Sequence, residues 1–180
     1  MMSSVTHEGP VVCAHCGQVV EGRELDIRFK LPDSMFAIPE EERGQRVHDG
    51  GDIVGAPGIG VFVRVLLPVA LTDGYLIRYG TWLQLTSKAD FDRARELWHA
   101  PEYPSLVLDG ILGNAIEPWG SPLLTKVRVG VRAPNEVPYV ETIYDEQMAK
   151  VLTETWSRSW VLSAIPPGTW HGHTGSSGGR

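Results

Sequence analysis

The sequence has 180 residues, of which 42% are hydrophobic and 21% are charged, values typical of a folded globular chain. This length allows one domain with a substantial core, and the composition excludes an intrinsically disordered protein. Lys and Arg number 16 against 22 Asp and Glu, so the formal net charge is -6. The acidic balance argues against nucleic acid and against an anionic membrane surface as the main partner.

The compartment and the domain limits are predicted from composition along the chain. The first ten residues contain neither a basic segment nor an apolar run, so we expect no secretory signal. The longest apolar stretch, residues 61–71, is too short to cross a bilayer. We therefore expect a soluble, cytoplasmic protein that does not bind membranes. The predicted parts are a flexible N-terminus at residues 1–10, a single domain at 11–170 and a flexible Gly/Ser-rich tail at 171–180.

A cysteine pair near the N-terminus is the sharpest local motif. Cys13 and Cys16 are separated by two residues and followed by glycine, a spacing typical of a zinc knuckle. The pair supplies only two of the four ligands of a closed zinc site, and His171 and His173 are the best donors of the others on spacing. Bound zinc and a knuckle-like turn without metal both remain open. A thioredoxin-like redox pair is disfavoured because the residues after the second cysteine are strand-like.

The first elements of the domain alternate with glycine-rich loops. Residues 24–31 alternate apolar and charged side chains, which predicts a half-buried strand. Pro39 is suited to start one or two helical turns, and Ile53-Val54 predicts a short strand. The loop from His48 to Asp52 carries the residue types of a metal or acid–base cluster, although a polar turn is the simpler interpretation.

The clearest structural signal is a pair of strands at residues 61–71 and 75–85. Both are rich in β-branched and aromatic residues, and Asp73-Gly74 between them tolerates the positive φ angles of a two-residue hairpin turn. Both strands are apolar on both faces, which predicts that they lie in the centre of the sheet. The sequence therefore predicts a central β-hairpin.

Arg64 interrupts the first strand of this hairpin. A two-residue turn places it opposite Leu83 and places Arg78 opposite Val69, so the two arginines are expected on different faces. A buried guanidinium needs a carboxylate or several carbonyl groups, so Arg64 holds a structural ion pair or anchors an anionic ligand. We select Arg64 and Trp82 as candidate binding residues for a small anion or a protein partner.

The second half of the chain predicts three more strands and two helices. One helix begins after Ser87, and the other runs from about Asp145 to about Trp160. The strands are expected at about 105–112, 123–132 and 137–144. The resulting fold class is α+β: an antiparallel β-sheet meander with two packed helices, preceded by the Cys-x-x-Cys knuckle.

The order of motifs resembles a bacterial family known as domain of unknown function 2199. The motifs are C-x-x-C-G at 13–17, an acidic residue before Ile53, an aromatic-x-Arg strand from Phe62 to Pro68-Val69, and G-x-W at 80–82 leading to Ser87. The resemblance covers residues 12 to about 156. It implies the fold and its boundaries but no reaction, because the family has no assigned activity.

Two positions depart from the pattern of that family. Val65 stands where the family usually has glycine after the strand arginine. Residues 145–149 stand where the family has an Asp-His-Pro-Leu-Ala stretch, so its histidine is missing here. A function that depends on this histidine is therefore not expected in this chain.

No nucleophile–base or acid–base constellation can be assembled from the sequence, and we assign no catalytic residue. The preferred expectation is a non-enzymatic soluble binding module for a protein or a small anionic ligand. The alternative is a zinc-dependent enzyme of hydrolase type. Its site would be Cys13 and Cys16 with His171 or His173, or the loop from His48 to Asp52.

Overall fold

The computed structural model describes residues 23–120 and 124–165, and the backbone alone of residues 170–173. This part of the chain contains ten β-strands and four α-helices. The strands are β1 (Glu24–Arg28), β2 (His48–Asp49), β3 (Ile53–Ala56), β4 (Gly60–Leu71), β5 (Leu76–Leu85), β6 (Val107–Leu112), β7 (Lys126–Gly130), β8 (Tyr139–Ile143), β9 (Thr155–Trp156) and β10 (Trp170–His173). The helices are α1 (Glu40–Arg46), α2 (Lys88–Leu97), α3 (Glu146–Thr153) and α4 (Arg158–Ser163).

Strands β4 to β8 form a closed barrel. Each of them is antiparallel to the next along the chain, as a meander requires. Strand β8 then pairs in parallel with β4 through Leu66 and Tyr139, and the N–H of Leu66 donates to the carbonyl of Pro138 at 2.8 Å. With an odd number of up-and-down strands, the first and the last run in the same direction and can only close in parallel. The α+β class is confirmed, but the predicted open meander is wrong because its two end strands pair.

Additional strands extend the barrel wall on both sides of the central hairpin. Strand β1 lies parallel to the first half of β5, and β10 lies antiparallel to β1. Strands β3 and β2 continue from the first half of β4. The backbone of β10 spans the boundary predicted between the domain and its tail.

The central hairpin is confirmed, with a loop one residue longer than predicted. The N–H of Leu71 donates to the carbonyl of Tyr75 at 2.8 Å, and the N–H of Gly74 donates to the carbonyl of Leu71 at 3.0 Å. Gly74 has φ 82°, a left-handed conformation that closes a three-residue loop with a bulge. Residues 72–74 therefore form the loop, not Asp73-Gly74 alone.

The longer loop moves the register of the hairpin by one position. Arg64 lies opposite Trp82 instead of Leu83, and Arg78 lies opposite Pro68. Arg64 and Pro68 are four residues apart on β4, so they lie on the same face of the strand. Since Arg78 lies opposite Pro68, both arginines lie on one face of the hairpin. The prediction that they lie on different faces is wrong, and this correction brings them to a common site.

The predicted long helix from Asp145 to Trp160 is broken into two. Glu154 is extended, with φ -107° and ψ 165°, and Trp156 accepts a hydrogen bond at 3.0 Å from the N–H of Thr72. This pairing of β9 with β4 replaces a helical turn, and Ser157 then caps α4. The described part of the chain thus has four helices instead of two, and none is long and apolar enough to span a membrane.

Two apolar cores lie on opposite faces of the hairpin. The larger contains Val63, Val65 and Leu67, which alternate along β4. The smaller contains Phe62 and Trp82 from the other face, packed against residues of the segment before α1 and of β3. Arg64 lies on the face of the smaller core, at its border.

Candidate functional site

A cavity of about 530 Å³ lies on the face of β4 and β5 that carries both arginines. The strand register brings Arg28 of β1 beside Gly80 of β5, and Gly80 opposite Leu66 of β4. The remaining walls come from the loop at residues 50–52, from the segment at 98–103 after α2 and from the segment at 135–137 before β8. The cavity therefore combines charged side chains of the sheet with parts of three connections.

The guanidinium of Arg64 is fixed against the sheet. Its Cζ lies 4.0 Å from the centre of the Trp82 ring, and its Nη1 donates to the carbonyls of Phe29 and Gly80, both at 3.2 Å. The Trp82 Nε1 also donates to the carbonyl of Phe29, at 3.1 Å, which holds the indole in place. Of the two kinds of partner expected for this arginine, a carboxylate or several carbonyls, the structure provides two carbonyls at hydrogen-bond distance.

The positive charge of Arg64 is only loosely paired. Its Nε lies 3.8 Å from Oδ1 of Asp52, and the Arg64 side chain is 13% exposed. Burial and, after it, the neighbouring charge of Arg28 lower the pKa of Arg64 to about 10, although the carboxylates of Asp52 and Asp49 act in the opposite direction. Arg64 stays protonated at neutral pH, in a place where the charge is poorly stabilised.

Gly80 makes room for two cationic side chains over one strand. A Cβ atom at this position would lie 2.9 Å from Cγ of Arg28 and 3.6 Å from Nη1 of Arg64. A larger residue would therefore have to push the stem of Arg28 aside. The absence of a side chain at Gly80 therefore lets these two positively charged side chains approach each other.

Arg78 forms a different environment at the other end of the cavity. It donates to both carboxylate oxygens of Asp26, at 2.7 and 2.9 Å, and lies 3.4 Å from Glu24 and 3.5 Å from Glu136. Burial by itself lowers the pKa of Arg78, but the hydrogen bonds to Asp26 and Tyr139 and the nearby carboxylates outweigh it, and the pKa is raised. This arginine is fully paired within the protein.

The other predicted positions lie at or near this cavity without forming a metal cluster. Trp82 is 1% exposed, so it can act on a ligand only by positioning Arg64. His48 is exposed on β2, while the Asp49 side chain accepts from the N–H of Gly51 at 2.8 Å. Among the residues whose side chains the structure describes, no three His, Cys, Asp or Glu side chains come together to hold a metal ion.

The predicted zinc ligands fall outside the part that can be described. Cys13 and Cys16 lie outside the described residues. For His171 and His173 the structure gives only the backbone, which pairs with Ile27 and Leu25 of β1. The zinc site therefore stays a prediction.

The sequence did not single out Arg28, Gly80 or the residues 98–103 as parts of a site. Alternation along residues 24–31 already placed Arg28 on the charged face of its strand. What it could not show is that this strand lies parallel to β5, beside the glycine. Parallel pairing of distant segments leaves no local trace, so these residues were missed.

Residues 12–154 match the model of a family described as "Uncharacterized protein conserved in bacteria (DUF2199)". Searches of curated proteins and of solved structures found no significant match. The matched range contains all the residues that line the cavity.

Proposed function

Since the chain belongs to this bacterial family, whose description assigns no activity, we propose its function from the cavity: the protein is a binding module that holds a small anionic ligand on Arg64. The observation that carries the proposal is the charge of Arg64, fixed on Trp82 and paired only at 3.8 Å with Asp52. A guanidinium presents a planar fork of donors that suits a carboxylate or a phosphate.

The proximity of Arg28 supports an anion as the ligand. The side chains of Arg28 and Arg64 both approach Gly80, and the charge of Arg28 is, after burial, the second cause that lowers the pKa of Arg64. An anion bound to Arg64 would offset this positive potential and gain charge-assisted hydrogen bonds. Binding would therefore stabilise the folded protein in proportion to the logarithm of ligand concentration.

The shape of the site favours a small ligand over a protein surface. The cavity volume of about 530 Å³ falls within the roughly 300–1,000 Å³ typical of small-molecule sites. Arg64 is 13% exposed, so a protein partner would reach it only by inserting a side chain. A free carboxylate or phosphate enters without that constraint.

The experiment is an NMR-detected titration with sodium pentanoate and, separately, with inorganic phosphate at low ionic strength. We expect saturable binding of at least one of these anions to the wild-type protein. Arg64→Met keeps an unbranched side chain on Trp82 but removes the charge, and we expect it to weaken binding by about tenfold or more, a loss of at least about 1.4 kcal/mol.

A matched control distinguishes this site from general attraction by surface cations. Arg128 lies on β7 and pairs with Asp109 at 2.9 Å, outside the cavity. Arg128→Met removes the same charge and should leave binding unchanged. Equal binding by wild type and Arg64→Met, or an equal loss in both variants, contradicts the proposal.

A further inference from the structure

We infer that the anionic ligand carries an aliphatic chain, which lies on Leu66 while the anionic group is held by Arg64. This inference rests on the proposed function, because it names the class of ligand for the same cavity. It follows from an apolar side chain beside Arg64 that an inorganic anion would leave unused. The ligand class is therefore an aliphatic carboxylate, and Leu66 is a specificity-determining residue.

Leu66 and the stem of Arg28 form an apolar floor in the cavity. Leu66 lies two residues from Arg64 on the same face of β4, at roughly 6.6 Å between their Cα atoms. Its opposite neighbour on β5 is Gly80, which contributes no side chain. The space next to Gly80 is instead approached by Cγ of Arg28, one of the methylene groups that carry its guanidinium.

Leu66 has no place in the two apolar cores that the described residues form. The larger core takes Val63, Val65 and Leu67 from the other face of β4, and the smaller core takes Phe62. The side chain of Leu66 is half-buried and belongs to neither. A single leucine of this kind is ordinary on a protein surface. This one lies inside a cavity, next to the charge that would anchor a ligand.

Aromatic and aliphatic side chains also line the walls of this cavity. Trp98 and Tyr103 contribute two rings with centres 5.7 Å apart and planes 61° from each other. The hydroxyl of Tyr103 donates to the main-chain carbonyl of Glu136 at 2.7 Å, which fixes this wall against the segment that carries Val137. A cavity in which apolar walls surround a few orienting charged groups is typical of sites for small organic molecules.

The charges of the cavity favour a ligand with one anionic group and an uncharged remainder. The carboxylates of Asp52 and Asp49 both act on Arg64, and Oδ1 of Asp52 lies 3.8 Å from its Nε. At the other end of the cavity, Arg78 already donates to both oxygens of Asp26, at 2.7 and 2.9 Å. A second anionic group on the ligand would meet these carboxylates. An aliphatic chain instead gains affinity from contact with the apolar floor.

The test compares acetate, pentanoate and inorganic phosphate on the wild-type protein in the same NMR-detected titration. Burial of one methylene group strengthens binding by up to about fourfold. Because the floor covers only one side of the chain, we expect pentanoate to bind about tenfold tighter than acetate. We also expect a nuclear Overhauser effect between the terminal methyl group of pentanoate and the methyl groups of Leu66.

Two variants of Leu66 distinguish contact with the ligand from support of the fold. Leu66→Asn keeps the size of the side chain but makes it polar, and Leu66→Ala removes most of it. In both we expect the preference for pentanoate over acetate to fall to about twofold, with acetate and phosphate themselves changed less than about twofold. Ile111→Asn is the matched control, because Ile111 is half-buried on β6 outside the cavity, and here the preference should stay unchanged.

The outcomes separate this inference from the proposed function. Equal affinity for acetate and pentanoate, or binding of phosphate alone, overturns the aliphatic chain and leaves an anion site on Arg64. An unchanged preference in the Leu66 variants, or an equal loss for all three anions, also overturns it. If none of the three anions binds to the wild-type protein, the proposed function fails as well.

Discussion

Replacing Arg64 by methionine should make the protein more stable while removing its binding function. The unbranched methionine side chain can still pack on Trp82, where the guanidinium now lies 4.0 Å from the ring centre. The charge, whose pKa is lowered to about 10, disappears. An arginine kept for ligand binding against a cost in stability is expected to behave in this way.

The magnitude follows from the contacts of Arg64. A pKa of about 10 means that holding the charge at neutral pH costs about 3 kcal/mol, at about 1.4 kcal/mol per pKa unit. Removing the charge recovers this cost, but the loss of the cation–π contact with Trp82 offsets about 1–2 kcal/mol of the recovered stability. The two carbonyls keep other donors, since Phe29 accepts from Trp82 and Gly80 accepts from the N–H of Phe29. We therefore expect a net gain of about 1–2 kcal/mol in the free energy of unfolding.

Urea unfolding followed by tryptophan fluorescence measures this gain at pH 7. Because the folded-state pKa of Arg64 lies below the unfolded one, its cost is fully present below about pH 10 and is relieved as pH rises through that value. The stability difference between Arg64→Met and wild type should therefore shrink above pH 10.

Arg78→Met provides a control in which we expect the free energy of unfolding to fall instead of rise. Removing Arg78 leaves Asp26 without the two hydrogen bonds, at 2.7 and 2.9 Å, that pair it in the folded protein. We expect a loss of about 3 kcal/mol. A loss of 2 kcal/mol or more in Arg64→Met, similar to the loss in Arg78→Met, would refute the reasoning that Arg64 is poorly paired.

Three further predictions concern the site and its support. Asp52→Asn should tighten pentanoate binding about threefold in the NMR titration, because this carboxylate competes with the ligand for Arg64; weaker binding would show that Asp52 positions the arginine instead. Gly80→Ala should displace Arg28 and weaken pentanoate binding at least about fivefold, and an unchanged affinity would contradict the assigned role of the glycine. Asp145→Ala should lower the free energy of unfolding by about 1 kcal/mol in urea, because the side chain caps α3, while an unchanged midpoint would exclude that cap.

The parts of the fold predictable from sequence are those set by local pattern. The β4–β5 hairpin was predicted from alternating β-branched residues around Asp73-Gly74, and α2 from its Ser87 cap. The register was missed by one residue because the left-handed conformation of Gly74 suits both a two-residue and a three-residue loop. This shift of one residue in the register determines whether Arg64 and Arg78 lie on the same face of the hairpin.

The parts that were not predictable depend on contacts between distant segments. Barrel closure rests on the parallel pairing of Leu66 with Tyr139, and the break before α4 rests on the contact of Thr72 with Trp156. Neither leaves a periodic signal in the sequence. Arg64 was identified because a charge within an apolar strand is conspicuous, whereas Arg28 lies on an ordinary charged face and becomes part of the site only through the neighbouring strand.

The most direct measurement of the central claim is the NMR resonance of the Arg64 Nε–H group, assigned by its loss in Arg64→Met. On addition of pentanoate or inorganic phosphate, the anions used to test the proposed function, this resonance should shift in a saturable way with at least one of them, while that of Arg128 stays in place. A shift of Arg128 alone, or saturable binding without any change at Arg64, would contradict the assignment of the cavity as the anion site.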